Sequence, residues 1–162
     1  MRSVVLVGLL SCRPEPPRPP PSPHVRIVVD GPRLPAYASS AWSPLGFTVS
    51  FDDLALEECP RFWYAMHLVN CQITVAVVRD EGLVALAGTE AMSDRTHRLI
   101  RIDAAVAGDR LKISMAHELG HILLDTPTHT AGGIMGGSTW WMKPVDYELA
   151  CSSIGICVTP PK

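Results

Sequence analysis

The stretch Met115-Ala116-His117-Glu118-Leu119-Gly120-His121-Ile122-Leu123-Leu124 places a polar triad within an apolar helical segment. Residues four apart lie on the same face of an α-helix, so His117 and His121 can direct both imidazoles at one ion. Glu118 lies beside them, where a carboxylate can accept a proton from a metal-bound water. Burying this triad without a ligand would be costly. The stretch therefore predicts a zinc site of the H-E-x-x-H type, and the alternative is a histidine pair that is exposed or satisfied by hydrogen bonds.

The helix that carries this triad is predicted to begin at Asp109 and to stop before Pro127. An aspartate can cap the first turn of a helix, and a proline cannot continue one. Apolar residues surround nearly the whole circumference of the segment, so the helix is expected to be buried. These residues are Leu111, Ile113, Met115, Ala116, Leu119, Ile122 and Leu123.

Upstream of this helix the sequence predicts mainly β-strands. β-Branched or alternating apolar residues, bounded by turn-forming residues, indicate each strand. The predicted strands are residues 25–29, 47–51, 72–79, 83–87 and 99–102. A short helix is predicted at residues 35–42, and a C-terminal helix from about Val145. The fold class is therefore α+β.

A catalytic zinc ion usually takes three protein ligands, so a third is needed. His129 is favoured because the loop that follows the helix can fold back beneath the metal. Asp125 lies about 12 Å along the helix axis from His117, which is a poor distance for sharing one ion. Asp146 or Glu148 can serve only if a second helix packs beside the first. These three carboxylates remain the alternatives.

The order of these features resembles the metzincin clan of zinc metallopeptidases. The matching segments are residues 117–121, then His129, then Gly133-Ile134-Met135-Gly136 in the place of the clan's Met-turn beneath the metal. Seven residues, rather than the clan's five, separate the second and third histidines. Leu124 stands where the clan has a glycine, and the longer loop is expected to relax the bend that requires it. Gly137 replaces the clan's tyrosine, so no tyrosine is assigned to the site.

This resemblance implies a metzincin-like zincin fold, a mixed twisted sheet with a buried zinc-binding helix and a C-terminal helix. It implies a zinc-dependent endopeptidase that hydrolyses peptide bonds through a zinc-bound water activated by Glu118. Met135 would support the site by packing, since a thioether is too soft to be a usual zinc ligand. A peptide or protein substrate would lie antiparallel along an edge strand, for which residues 83–87 are the candidate. The alternative is a zincin-fold binding protein without turnover.

Two adjacent aromatic residues follow the predicted Met-turn. Trp140 and Trp141 can line a wall of the substrate site. The more ordinary arrangement for such a pair is one core residue and one surface residue, and it is the one expected here.

Composition limits the class of protein. The chain has 162 residues, of which 47% are hydrophobic and 19% charged, with a formal net charge of -2. These values predict one globular domain, residues 24–162, and a monomer. They argue against a nucleic-acid-binding protein, which would carry a basic stripe, and against a polytopic membrane protein.

The N-terminal residues are typical of an exported protein. Residues 1–11 read as a short signal peptide, and Leu9-Leu10-Ser11-Cys12 resembles the lipobox of bacterial lipoproteins, which implies a lipid anchor on Cys12. Seven of the ten residues 14–23 are proline, so residues 12–23 are predicted to form a lipid-anchored tether. Because Arg13 rather than aspartate follows the cysteine, the outer membrane of the bacterial envelope is expected. The alternative is that the apolar start belongs to the core of a cytosolic protein.

The other four cysteines form an even set, which suits an exported protein. The three possible connectivities include the nearest-neighbour scheme, Cys59 with Cys71 and Cys151 with Cys157, which we predict. Four reduced thiols in a cytosolic core are the alternative.

Overall fold

The structure of the protein is a computed structural model that describes residues 21–30 and 40–161. The predicted signal peptide, Cys12 and most of the predicted tether lie outside these residues, as does most of the helix predicted at 35–42. Of the predicted tether, residues 21–23 are described, and the Ser22 hydroxyl donates a hydrogen bond to the Leu45 carbonyl. Among the described residues no helix has the length and apolar character needed to cross a membrane.

A five-stranded mixed sheet forms the centre of the fold. Its strands are β1 (His24–Asp30), β2 (Thr48–Ser50), β3 (Gln72–Asp80), β4 (Ala91–Asp94) and β5 (Leu99–Asp103). They are arranged in the order β2-β1-β3-β5-β4. The first four in this order run parallel, and β4 is antiparallel to β5. The predicted mixed sheet is confirmed, and β4 forms one of its edges.

Within residues 21–30 and 40–161, three α-helices with fully described bounds accompany the sheet: α1 (Leu83–Ala87), α2 (Gly108–Leu123) and α3 (Pro144–Ile154). The helix α2 carries the polar triad and packs against β4 and β5. Its second half is buried, whereas Leu111 and Ile113 in the first half are only half-buried. The predicted burial therefore holds for the part of the helix that carries the histidines.

The strand predicted at residues 83–87 is wrong, because this segment forms α1. Gly82 and Gly88 flank it with φ angles of 75° and 70°, which favour glycine and turn the chain at both ends. The Asp103 carboxylate accepts a hydrogen bond from the Val84 N–H at 2.9 Å, which helps to hold the first turn. Leu83 is buried, but Val84 is 48% and Leu86 86% exposed, so most of the apolar side chains of this segment do not enter the core. The edge strand beside α2 is β4, which the sequence did not predict.

The N-cap residue of α2 also differs from the predicted one, Asp109. Ala107 is the N-cap residue and Asp109 lies within the first turn. The Asp109 carboxylate forms an ion pair with Lys112 at 2.7 Å. A negative charge in the first turn still interacts favourably with the helix dipole.

The two predicted disulfides, Cys59–Cys71 and Cys151–Cys157, are confirmed. The first closes a loop that contains a short 3-10 helix, Trp63–Met66. The second joins α3 to the segment that follows it. Each bond shortens the loops available to the unfolded chain, which stabilises the folded state.

A close approach at Gly120 joins α2 to the rest of the core. The Trp42 indole N–H donates a hydrogen bond of 2.9 Å to the Ala116 carbonyl, and its ring lies against Gly120. A Cβ at Gly120 would lie 2.4 Å from both Met135 Sδ and Trp42 Cζ2. Glycine is therefore required here for packing, not for its backbone angle.

We predict that Gly120→Ala lowers the free energy of unfolding by about 1–3 kcal/mol, because the added methyl overpacks the core. The direction is informative, since glycine to alanine within a helix otherwise stabilises by about 0.5–1 kcal/mol. Urea denaturation of the single variants and of the double variant with Trp42→Phe measures the effect. Trp42→Phe removes the ring atoms nearest the new methyl, so the two changes should be less than additive. A Gly120→Ala variant as stable as the wild type would contradict this packing.

Candidate metal centre

Three histidines converge at the end of α2. His117 and His121 lie one turn apart with their Nε2 atoms separated by 3.2 Å. The His129 ring, from the loop after the helix, is centred 5.0 Å from that of His117 and 4.8 Å from that of His121. One ring nitrogen from each residue lies within 4.8 Å of the others. This cluster, which the sequence spacing predicted, can hold a metal ion.

Two backbone carbonyls orient the helical pair. His117 Nδ1 is 2.9 Å from the Ile134 carbonyl oxygen, and His121 Nδ1 is 2.7 Å from the Thr126 carbonyl oxygen. A carbonyl oxygen only accepts hydrogen bonds, so each Nδ1 carries the proton. In the neutral rings each Nε2 therefore presents a lone pair to the centre of the cluster, which is the arrangement found in histidine ligands of metals.

The spacing of the two helical histidines fits a cation. Two lone pairs that face each other across 3.2 Å repel unless a positive charge lies between them. A tetrahedral ion with metal–nitrogen bonds of 2.0–2.1 Å separates its ligand nitrogens by about 3.3 Å. Imidazole nitrogens suit zinc, copper, iron and nickel.

The ionisation of His121 agrees with this arrangement. The pKa of His121 is lowered to about 4, mainly because the ring is buried. The hydrogen bond with the Thr126 carbonyl opposes this effect, and the charges of His117, His129 and Arg95 add to it. The ring is therefore neutral at neutral pH, which is the form of imidazole that binds metal ions.

The loop that brings His129 back begins at Asp125. Leu124 ends the helix in a right-handed conformation, and Asp125 has a positive φ of 43°. The sequence predicted that the longer loop would make an unusual backbone angle unnecessary. This prediction is wrong, because the angle is still present. The longer loop moves the angle by one residue, onto an aspartate, which tolerates it better than most residues do.

Two arginines hold Asp125, which is not part of the three-histidine cluster. The Arg61 guanidinium donates to both carboxylate oxygens, at 3.3 and 3.2 Å. Arg95 Nη1 donates to the Asp125 backbone carbonyl at 3.0 Å. The pKa of Arg61 is raised by its hydrogen bond and charge interaction with Asp125. These contacts fix the chain just before Thr126, whose carbonyl orients His121.

Asp146 anchors the segment beneath the cluster. Its side chain is fully buried and accepts hydrogen bonds from the backbone N–H groups of Ile134, Met135 and Lys143, at 3.0, 3.0 and 2.8 Å. The turn approaches so closely that a Cβ at Gly133 would lie 2.2 Å from the carboxylate. The buried carboxylate thus positions the Ile134 carbonyl, which orients His117, and does not approach the cluster as a ligand. Glu148, the other acidic alternative, is exposed and is not part of the cluster.

Met135 and the two tryptophans occupy different environments. Met135 is fully buried, and its sulfur lies beside Gly120 in α2. Trp141 is 49% exposed and Trp140 is half-buried. Neither tryptophan lines the two cavities beside Glu118, as far as the described residues show their walls.

Glu118 lies where two cavities meet. It is buried, and the Ser93 hydroxyl of β4 donates a hydrogen bond of 2.7 Å to its Oε2. One cavity of about 460 Å³ extends from Glu118 along the first half of α2 to Arg110. The other, of about 440 Å³, extends past the three histidines to Pro127. Together they form a cleft between β4 and α2 that continues on both sides of Glu118.

The sequence did not predict the roles of Ser93 and Arg95. Ser93 lies in β4, a strand that was not predicted, and Arg95 follows that strand directly. Nor did the sequence predict the two orienting carbonyls, which any residue type can supply. Comparisons of the chain with protein-family models, with curated proteins and with solved structures find no match. The chemistry of the centre is therefore inferred from its own residues.

We predict that His129→Ala weakens zinc binding by about 10²-fold or more, because it removes one of three nitrogen donors. Asp125→Ala and Glu148→Ala should retain affinity much closer to that of the wild type. Competition of the purified protein with a chromogenic chelator measures the affinities. Loss of binding in Glu148→Ala, with binding kept in His129→Ala, would assign the third ligand to the C-terminal helix instead.

A second prediction concerns the support beneath the cluster. Asp146→Asn keeps the shape of the side chain but turns an N–H donor towards backbone N–H groups. We expect a loss of about 2–3 kcal/mol of unfolding free energy. Zinc affinity should fall by about tenfold because the His117 ring is less well oriented.

Glu148→Gln is the matched control, since it makes the same chemical change at an exposed site on the same helix. It should alter stability by less than about 0.5 kcal/mol. Thermal unfolding with and without zinc separates the two effects. Equal stabilities of the two variants would show that the buried carboxylate has no anchoring role.

Proposed function

We propose that the protein is a zinc-dependent endopeptidase in which His117, His121 and His129 hold the zinc ion and Glu118 is the general base. The observation that carries this proposal is the position of Glu118, a buried carboxylate beside the three-histidine cluster in a cleft that continues on both sides. Zinc is favoured over the other suitable metals because three protein ligands with one position left for water are typical of catalytic zinc. A zinc ion bound here would supply a Lewis acid for the scissile carbonyl and would acidify the attacking water.

Glu118 has the geometry of a proton carrier. Ser93 occupies Oε2, which leaves Oε1 to accept a proton from the attacking water. The same carboxylate can then return the proton to the departing amine, so that the group is regenerated. The hydroxyl of Ser93 fixes the carboxylate in one orientation throughout, which reduces the reorganisation that the reaction requires.

The edge strand β4 supports a peptide as substrate. It pairs with β5 on one side, and among the described strands nothing pairs with its other side. An extended peptide can add to such an edge through main-chain hydrogen bonds. β4 thus takes the role that the sequence assigned to residues 83–87. Lying antiparallel to β4, a peptide would place its N-terminal part near Ser93 and its C-terminal part near Thr89.

The cleft favours an endopeptidase over an exopeptidase. Space continues on both sides of Glu118, in cavities of about 460 and 440 Å³. A chain can therefore pass through the cleft without ending there. An exopeptidase needs a wall or a charged group close to the reacting bond. Among the described residues, those that line both cavities are Thr89, Ala91, His117 and Glu118, and of these only Glu118, the proposed base, is an acid or a base of fixed charge.

We predict that Glu118→Gln lowers peptide hydrolysis by about 10²-fold or more, because the amide cannot act as a base. Zinc should remain bound, since the three imidazoles are unchanged. Cleavage of a quenched fluorescent peptide library, together with the zinc content of each preparation, measures both quantities. Glu148→Gln makes the same change at an exposed position and should keep full activity. If the wild type and Glu118→Gln both bind zinc and neither cleaves, the protein is a zincin-like binding protein without turnover.

A further inference from the structure

An ion pair lies at the far end of the 460 Å³ cavity. Val84 and Ile113 contribute apolar wall, and Arg110 lies beyond them with its Nε 2.7 Å from Glu90 Oε2. Arg110 precedes His117 by seven residues and so lies on the same face of α2. Two helical turns separate the two residues by about 10.5 Å along the axis.

The Arg110 guanidinium is bound by Glu90 through Nε, which leaves Nη1 and Nη2 available for another partner. Glu90 accepts from Nε, and no other described residue accepts a hydrogen bond from the side chain. The Arg110 side chain is 61% exposed, compared with 35% for Glu90. Two parallel N–H groups form the fork that binds a carboxylate through both oxygens. Arginine is thus the member of the pair that is presented to the cleft.

We propose that Arg110 binds a carboxylate of the substrate about three residues to the C-terminal side of the scissile bond, with Glu90 holding the guanidinium in place. The position rests on the proposed function, since it assumes a peptide antiparallel to β4. An extended peptide advances about 3.3 Å per residue, so three residues cover the distance from the metal centre to Arg110. The carboxylate belongs either to an acidic side chain or to the C-terminus of a substrate that ends there.

Direct binding of matched peptides tests this site. The full chain carrying Glu118→Gln, with zinc present, keeps the peptides intact while fluorescence anisotropy reports the dissociation constant. One series has glutamate, glutamine or lysine at the third position after the expected cleavage site, with an amidated C-terminus. A second pair ends at that position with a free or an amidated carboxyl group. The two series distinguish a side-chain carboxylate from a terminal one.

The carboxylate peptide of at least one series should bind about tenfold more tightly than its neutral counterpart, as expected for a charged hydrogen-bonded pair. Arg110→Gln should remove this difference. Arg101→Gln is the control, because Arg101 is also paired with a carboxylate, that of Asp80, but does not line the cavity. It should leave the preference unchanged.

Equal binding of the charged and neutral peptides in both series would overturn the proposal. Tighter binding of the lysine peptide would also overturn it, because recognition would then be assigned to Glu90.

Failure of the proposed function gives a different result. If the wild type cleaves none of the peptides but their binding depends on a carboxylate and on Arg110, the binding site stands without the peptidase. Cleavage of all peptides with no carboxylate preference leaves the peptidase and removes the site. No binding and no cleavage would contradict both.

Discussion

The three-histidine cluster depends on two backbone carbonyls that fix where the protons of its helical histidines lie. The Ile134 carbonyl orients His117, and the Thr126 carbonyl orients His121. With each proton held on Nδ1, both Nε2 lone pairs point to the same place, and His129 only has to join them. A change that moves either carbonyl would therefore turn one of the imidazole rings.

The rest of the structure holds those carbonyls in place from two directions. The buried carboxylate of Asp146, on α3, binds the backbone of the segment that contains Ile134. Arg61, within the loop closed by the Cys59–Cys71 disulfide, binds Asp125 immediately before Thr126. The two orienting carbonyls are thus tied to parts of the chain that are themselves cross-linked, since α3 also contains Cys151.

The sequence predicted the features whose cause is local. Helical spacing was enough to place His117 and His121 on one face, and the runs of β-branched residues predicted β1, β3 and β5 closely. Residues 83–87 were misassigned because their conformation depends on flanking glycines and on the distant Asp103. Strand β4 was missed because it has only four residues, two apolar and two polar, and pairing with β5 is what makes it a strand. The role of Asp146 could not be found because its partners are main-chain groups, which carry no side-chain signature.

The use of main-chain oxygens has an evolutionary consequence. Every amino acid supplies a carbonyl, so the side chains at positions 126 and 134 can be exchanged without altering the proton positions of the ligands, provided that the backbone keeps its path. The path itself is maintained by a few side chains elsewhere, such as Asp146 and the arginines around Asp125. At positions 126 and 134 selection can therefore act on packing alone, since Ile134 is fully buried, whereas Asp146 and the arginines must keep their polar groups. Descendants of such a chain would retain the centre and lose the resemblance around it.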